Sequence, residues 1–134
     1  MRRIPLGDLT GLARARLAEA RALLRAGHPD GAAYLCGYAV ELGLKARICK
    51  TLGWGEFPPG AKTYSTFITH DLDLLLSLSG WRKRIETRYS VEWSAVHEWS
   101  AEDRYEPVGR ITPAEAQTMI QATRTLLEAL LRTK

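Results

Sequence analysis

Two charged side chains lie four residues apart in the middle of the chain, in the stretch DGAAYLCGYAVELGLKARICK (residues 30–50). Glu41 precedes Lys45, which is the order that favours an ion pair along a helix. A carboxylate and an ammonium group held in this way can line a cleft that binds a nucleotide or a protein partner. They can equally form a structural pair at the margin of a buried helix, with their long side chains reaching solvent.

Histidine and arginine are the other residues that could carry chemistry. Metal-free cleavage of RNA needs one group that moves the proton of a 2′-hydroxyl and another that holds the phosphate. His97 follows Arg88 with eight residues between them, and His70 has no arginine at short spacing. His70 and Asp71 also begin a predicted helix, where a local hydrogen bond and the helix dipole account for them without any catalytic role.

The element that positions Glu41 and Lys45 is predicted to be a buried central helix. At about 100° per residue its apolar side chains fall on two nearly opposite faces, and a helix that is apolar on two sides lies inside a protein. One face contains Leu35, Ala39, Leu42, Ala46 and Cys49, and the other contains Ala33, Gly37, Val40, Leu44 and Ile48. A narrow polar strip runs between the faces and consists of Tyr34, Tyr38, Glu41 and Lys45.

Helical patterns also flank this stretch, and no strand pattern interrupts them. They predict an all-α fold, an antiparallel up-and-down bundle of four to five helices. The first helix has one apolar stripe, Asp8 or Thr10 as its cap, and Gly27 as its stop. Because the connection to the central helix is short, these two helices are expected to be antiparallel neighbours.

The second half of the chain begins with a loop rich in glycine and proline at residues 53–67. A third helix is predicted to start at Thr69 as its cap, and a fourth to run from Trp81 towards Trp99. The last helix opens with TPAE at residues 112–115, which combines a capping box with a proline in the first turn.

Composition and charge restrict the class of protein. A chain of 134 residues suits one domain, predicted over residues 1–134, and a net charge of +4 is compatible with an anionic partner. Cys36 and Cys49 would be about 20 Å apart on one helix, which predicts no disulfide and a cytoplasmic setting. No apolar run is long enough for a membrane span, and no zinc spacing or phosphate loop occurs. The sequence therefore predicts no metal and no cofactor.

Three stretches together resemble the HEPN family of small helical bundles. GAAYLCGYAVELGLKARI (residues 31–48) resembles its aromatic-rich central helix. Two later segments also resemble the family: Thr69–Leu72, and Trp99 followed by Arg104-Tyr105. The resemblance implies a homodimer that binds a nucleotide, an RNA or a nucleotidyltransferase partner, as a component of a toxin–antitoxin pair. The binding residues it implies are Tyr38, Glu41, Lys45, His70, Asp71, Trp99, Arg104 and Tyr105.

The sequence departs from that family in its arginine–histidine motif. The family's endoribonucleases carry an arginine and a histidine, with four to six residues between them, in the later helices. Arg88 and His97 are too far apart for this spacing, while Arg21 and His28 fit it but lie at the end of the first helix. The departure favours a binding protein over an enzyme.

Two alternatives to nucleotide or partner binding stay open. One is a metal-independent endoribonuclease that uses His97 or His70 with Arg88 or Arg104, and the other is a helical interaction module without a ligand. Arg104 also has a structural alternative, because Glu41 lies between apolar faces and its charge needs a partner. The sequence analysis predicts that Glu41 and Arg104 share a buried polar network.

Overall fold

The computed structural model describes residues 3–58 and 62–132, and most of them are helical. The α-helices of the described residues are α1 (Leu6–Arg25), α2 (Pro29–Leu52), α3 (Leu72–Leu78), α4 (Arg82–Arg88), α5 (Ser90–Val96) and α6 (Pro113–Leu130). Two 3₁₀ helices cover Lys62–Phe67 and Ala101–Tyr105. The all-α prediction is confirmed. The predicted loop at 53–67 includes residues 59–61, which lie outside the described residues.

One helix more than predicted is present, because the segment predicted as a single fourth helix is divided. At Tyr89 the backbone has φ −129° and ψ 32°, which is not helical, and α4 and α5 meet there. A short antiparallel ladder that no sequence pattern indicated is also present. Its strands are β1 (Ile4–Pro5) and β2 (Glu56–Phe57).

The helix α2 lies at the centre of the bundle, as its two apolar faces predicted. It packs against α1 and α6 along its length and against α3 near the polar strip. Val40, Leu44 and Ile48 are fully buried on it. Gly53 ends the helix with a φ of 70°, a left-handed conformation that glycine adopts without strain. Neither α2 nor any other described helix is long and apolar enough to cross a bilayer.

Polar contacts join α2 to α6 at both ends. The carboxylate of Asp30 accepts hydrogen bonds from the backbone N–H groups of Gly109 (2.6 Å) and Ile111 (2.8 Å), which lower its pKa. At the other end the Nζ of Lys50 donates to the carbonyl oxygen of Leu131 at 2.6 Å. The two helices therefore run parallel.

The predicted cap of α6 is confirmed, and that of α3 is corrected. Thr112 Oγ1 accepts from the backbone N–H of Glu115, and the Glu115 carboxylate accepts from that of Thr112. At α3 the cap is Asp71, which accepts from two backbone N–H groups of the first turn. Thr69 lies two residues earlier, and its hydroxyl accepts from the N–H of Asp71.

The start of α1 also differs from the prediction. Asp8 and Thr10 lie inside the helix, which begins at Leu6 without a side-chain cap. The backbone N–H of Leu6 donates to the carbonyl oxygen of Gly55 at 2.9 Å. Because Gly55 directly precedes β2, the small β1–β2 ladder fixes this helix start, and a local capping signal is not needed.

Candidate functional site

Glu41 lies on α2, is only 3% exposed and has both of its carboxylate oxygens bonded. Oε2 accepts from the Nζ of Lys45 at 3.1 Å, so the predicted ion pair is present. Oε1 accepts from the Nδ1 of His70 at 2.8 Å, while the His70 side chain remains 60% exposed. A buried carboxylate thus orients an exposed imidazole, and this leaves Nε2 to meet a ligand or move a proton.

Two tyrosines lie beside this histidine. Tyr34 and Tyr38 place their hydroxyl oxygens 3.1 Å apart, and Tyr34 donates to the carbonyl oxygen of Ala101. Since a hydroxyl has one proton, Tyr38 donates to Tyr34. This hydrogen bond, burial and the charge of Glu41 raise the pKa of Tyr38 to about 12. The Tyr38 ring meets the His70 ring edge-on, with centroids 6.1 Å apart.

Trp99 supports the tyrosines from inside the bundle. Its ring centroid is 4.9 Å from that of Tyr38, and its Nε1–H donates to the carbonyl oxygen of Tyr34 at 3.0 Å. The indole lies against Gly37, where a Cβ atom would come within 2.1 Å of it. Because Trp99 is buried, it acts as the floor of this region and presents little surface to a ligand.

Arg104 and Tyr105 lie at the end of the second 3₁₀ helix and are exposed. The guanidinium carbon of Arg104 lies 4.8 Å from the centroid of the Tyr105 ring, and Tyr105 is 72% exposed. The neighbouring hydroxyl groups of Tyr105 and Tyr34 raise the pKa of Arg104, so its positive charge is permanent. The neighbouring side chains form one surface, here called the Tyr38 strip. It consists of His70, Tyr38, Tyr34, Arg104 and Tyr105.

The predicted network between Glu41 and Arg104 is wrong in its partners. Glu41 bonds Lys45 and His70, which occupy both of its oxygens, and no ion pair joins it to Arg104. Tyr38 lies within electrostatic reach of both charges, because Glu41 raises its pKa while Arg104 lowers it. Glu41 and Arg104 therefore both act on Tyr38 but do not pair with each other.

The remaining predicted residues lie apart from the strip or serve the backbone. Asp71 is the cap of α3, and its side chain is occupied by that role. Arg88 ends α4, and His97 is the residue after α5. Both are exposed, and neither side chain forms a hydrogen bond or ion pair with another described residue. The structure gives them no shared site.

Two features of the site go beyond the predicted binding residues. Tyr34, which the sequence placed on the polar side of α2 four residues before Tyr38, belongs to the strip. A cleft of about 270 Å³ lies next to Tyr34 and Trp99 and is lined by carboxylates that include Glu98 and Glu106. No short motif joins these residues. Within the described residues, no group of three or more His, Cys, Asp or Glu is placed to hold a metal ion.

The fold and the strip define a small all-α bundle whose buried central helix carries a Glu–Lys pair beneath exposed aromatic and cationic side chains. A family model described as the HEPN domain matches residues 7–133, nearly the whole chain. The protein belongs to the HEPN domain family, as the resemblance predicted. No curated protein and no solved structure matches it.

Proposed function

We propose that the protein binds a nucleotide, either free or at the end of an RNA, on the Tyr38 strip. The observation that carries this proposal is the unbroken series of exposed or half-buried rings and one permanent cation from His70 to Tyr105. Exposed aromatic rings stack on bases, and a guanidinium group holds phosphate oxygens with parallel hydrogen bonds. Membership of the HEPN family supports a role related to nucleotides or RNA.

Four residues of the strip have separate parts in this binding. Arg104 holds the phosphate, and the exposed ring of Tyr105 beside it stacks on the base. His70 contributes Nε2, because Glu41 occupies Nδ1 and fixes the ring. Tyr38 keeps its proton, since its pKa is about 12, so the strip adds no negative charge to repel a phosphate.

The test is a calorimetric titration of the purified protein with adenine and guanine mononucleotides. Arg104→Ala is expected to weaken binding by about tenfold or more, because a hydrogen bond to a charged group contributes about 1.5–3 kcal/mol. Arg88→Ala is the matched control, since it removes the same charge from an exposed arginine outside the strip. Equal affinities of wild type and Arg104→Ala, or equal losses in both variants, would contradict the proposal.

A second candidate function is metal-independent cleavage of RNA, and the bond between Glu41 and His70 favours it specifically. In this mechanism His70 Nε2 takes the proton of a 2′-hydroxyl, whose oxygen attacks the adjacent phosphorus. The bond to the 5′-oxygen breaks, and solvent supplies the proton to that leaving oxygen. Arg104 holds the phosphate oxygens as negative charge develops on them.

Incubation of total cellular RNA with the protein in EDTA tests this second function. Cleavage by wild type that His70→Ala abolishes and His97→Ala retains would establish His70 as a catalytic residue. His97→Ala is the matched control, because that histidine is exposed and lies outside the strip. Cleavage that persists in His70→Ala would exclude this mechanism, and intact RNA with folded wild type would leave nucleotide binding alone.

The other properties that the family resemblance implies stay predictions. They are the homodimer, the nucleotidyltransferase partner and the toxin–antitoxin role. The cytoplasmic location, which was inferred from the two cysteines, also stays a prediction. A nucleotidyltransferase that delivers its own nucleotide would cover the Tyr38 strip, so we expect free mononucleotide to compete with such a partner.

A further inference from the structure

A shallow groove between α1 and α6 is rich in positive charge. Its volume is about 410 Å³, and its charged lining residues are Arg14, Arg21, Arg124, Arg132 and Glu128, above a floor of leucines. Four positive charges and one negative charge leave +3 in this groove, against +4 for the whole chain. The groove therefore concentrates positive charge on a surface that shares no residue with the Tyr38 strip.

Three of these arginines have no counter-charge within the described part of the chain. Glu128, the acid of the groove, pairs with Arg124 at 3.2 Å. The exposed side chains of Arg14, Arg21 and Arg132 form no hydrogen bond or ion pair with a described residue. Arg14 and Arg21 are two helical turns apart, about 10.5 Å along α1. Their guanidinium groups are thus free to bind successive anionic groups.

The positive surface continues from the groove across the end of the bundle. Burial lowers the pKa of Lys50, and the nearby charges of Arg47 and Arg14 lower it further. Burial and the charge of Arg84 likewise lower the pKa of Arg47. The Nζ of Lys50 donates to the carbonyl oxygen of Arg132 at 2.7 Å, which places the ammonium group beside the groove. The surface, here called the basic band, consists of Lys50, Arg14, Arg21 and Arg132. Arg47 is only 5% exposed and lies beneath it.

We propose that the basic band binds the phosphate backbone of a nucleic-acid strand without reading its bases. A row of cations with few counter-charges suits a linear polyanion. No aromatic side chain lines the groove, so bases have no ring on which to stack there. Leu17 is 7% and Leu127 is 3% exposed, so the floor offers little of the apolar anchor that a protein partner needs.

The experiment measures binding of a fluorescent single-stranded RNA of scrambled sequence by anisotropy at several salt concentrations. Three phosphate contacts predict that the logarithm of the association constant falls with that of salt with a slope of about −2, at about 0.7 per contact. DNA of the same length is expected to bind equally, because only phosphates are contacted. Arg14→Ala with Arg21→Ala should reduce the slope to below 1 in magnitude.

Two further variants keep this test specific. Arg14→Lys with Arg21→Lys retains the charges and is expected to retain the slope. Arg25→Ala with Arg88→Ala removes the same charge from exposed arginines outside the groove and should leave the slope within about 0.5 of wild type. Circular dichroism checks that all variants fold, which we expect because the Arg14 and Arg21 side chains form no hydrogen bond or ion pair with a described residue.

Several results would overturn the proposal: no RNA binding by wild type, an unchanged slope in the Arg14→Ala, Arg21→Ala variant, or competition by polyglutamate as strong as that by RNA. The last result would assign the band to an acidic protein. Mononucleotide affinity reports on the Tyr38 strip and is expected to be unchanged in this variant. The two proposals therefore fail separately.

Discussion

A buried carboxylate is stable only when partners replace the water it has lost, and Glu41 has one partner for each oxygen. The partner in the same helix, Lys45, could be predicted from spacing alone. His70 could not, because it lies 29 residues away and meets Glu41 only through the packing of α3 on α2. The sequence indicated that Glu41 needs a partner, but it gave no means of choosing His70 over Arg104.

Removal of Glu41 should therefore be costly. Glu41→Ala leaves the ammonium group of Lys45 buried without its partner, and we expect it to lower the free energy of unfolding by about 3–5 kcal/mol. Glu128→Ala is the control, since Glu128 also pairs at a spacing of four residues but with both side chains exposed. It should change stability by less than about 0.5 kcal/mol. Urea unfolding measures both, and similar losses would contradict the burial argument.

At the scale of elements, a helix was predictable where the signal for it lies within its own residues. The two apolar faces of α2 and the capping box of α6 are local features, and both are present. The start of α1 depends on Gly55, which lies in a different part of the chain, so no local signal marks it. The break at Tyr89 was missed because apolar residues continue at helical spacing through it.

The contact between α2 and Trp99 gives a prediction at this scale. Gly37→Ala places a methyl group 2.1 Å from the indole, so either the helix or Trp99 must move. We expect a loss of about 1–3 kcal/mol in the free energy of unfolding, as for other overpacked cores. Gly11→Ala is the control, because it lies on the exposed side of α1 with no atom within 4 Å. Its free energy of unfolding should rise by up to about 1 kcal/mol, because alanine has a higher helix propensity than glycine.

Thermal unfolding followed by circular dichroism measures the two glycine variants, and tryptophan fluorescence reports on the surroundings of Trp99. A stabilised Gly37→Ala variant would show that the indole can move aside freely. In that case Trp99 would not be a fixed floor for the Tyr38 strip.

At the scale of the whole molecule, the net charge of +4 concealed an uneven distribution. Arg14 and Arg21 belong to α1, whereas Arg132 follows α6, and more than 100 residues separate them along the chain. Only the packing of α1 against α6 collects them in one groove. Charge composition could indicate an anionic partner, but the site of contact depends on the tertiary fold.

The ties between α2 and α6 also have a consequence in time. The hydrogen-bond partner of Asp30, Gly109, lies 79 residues later in the chain, and that of Lys50, Leu131, lies 81 residues later. At synthesis rates of about 5–20 residues per second, about 4–16 s pass between translation of each of these residues and translation of its partner. Throughout that interval the side of α2 that α6 covers in the folded protein lacks this partner. The nascent chain is then open to aggregation or to capture by a chaperone.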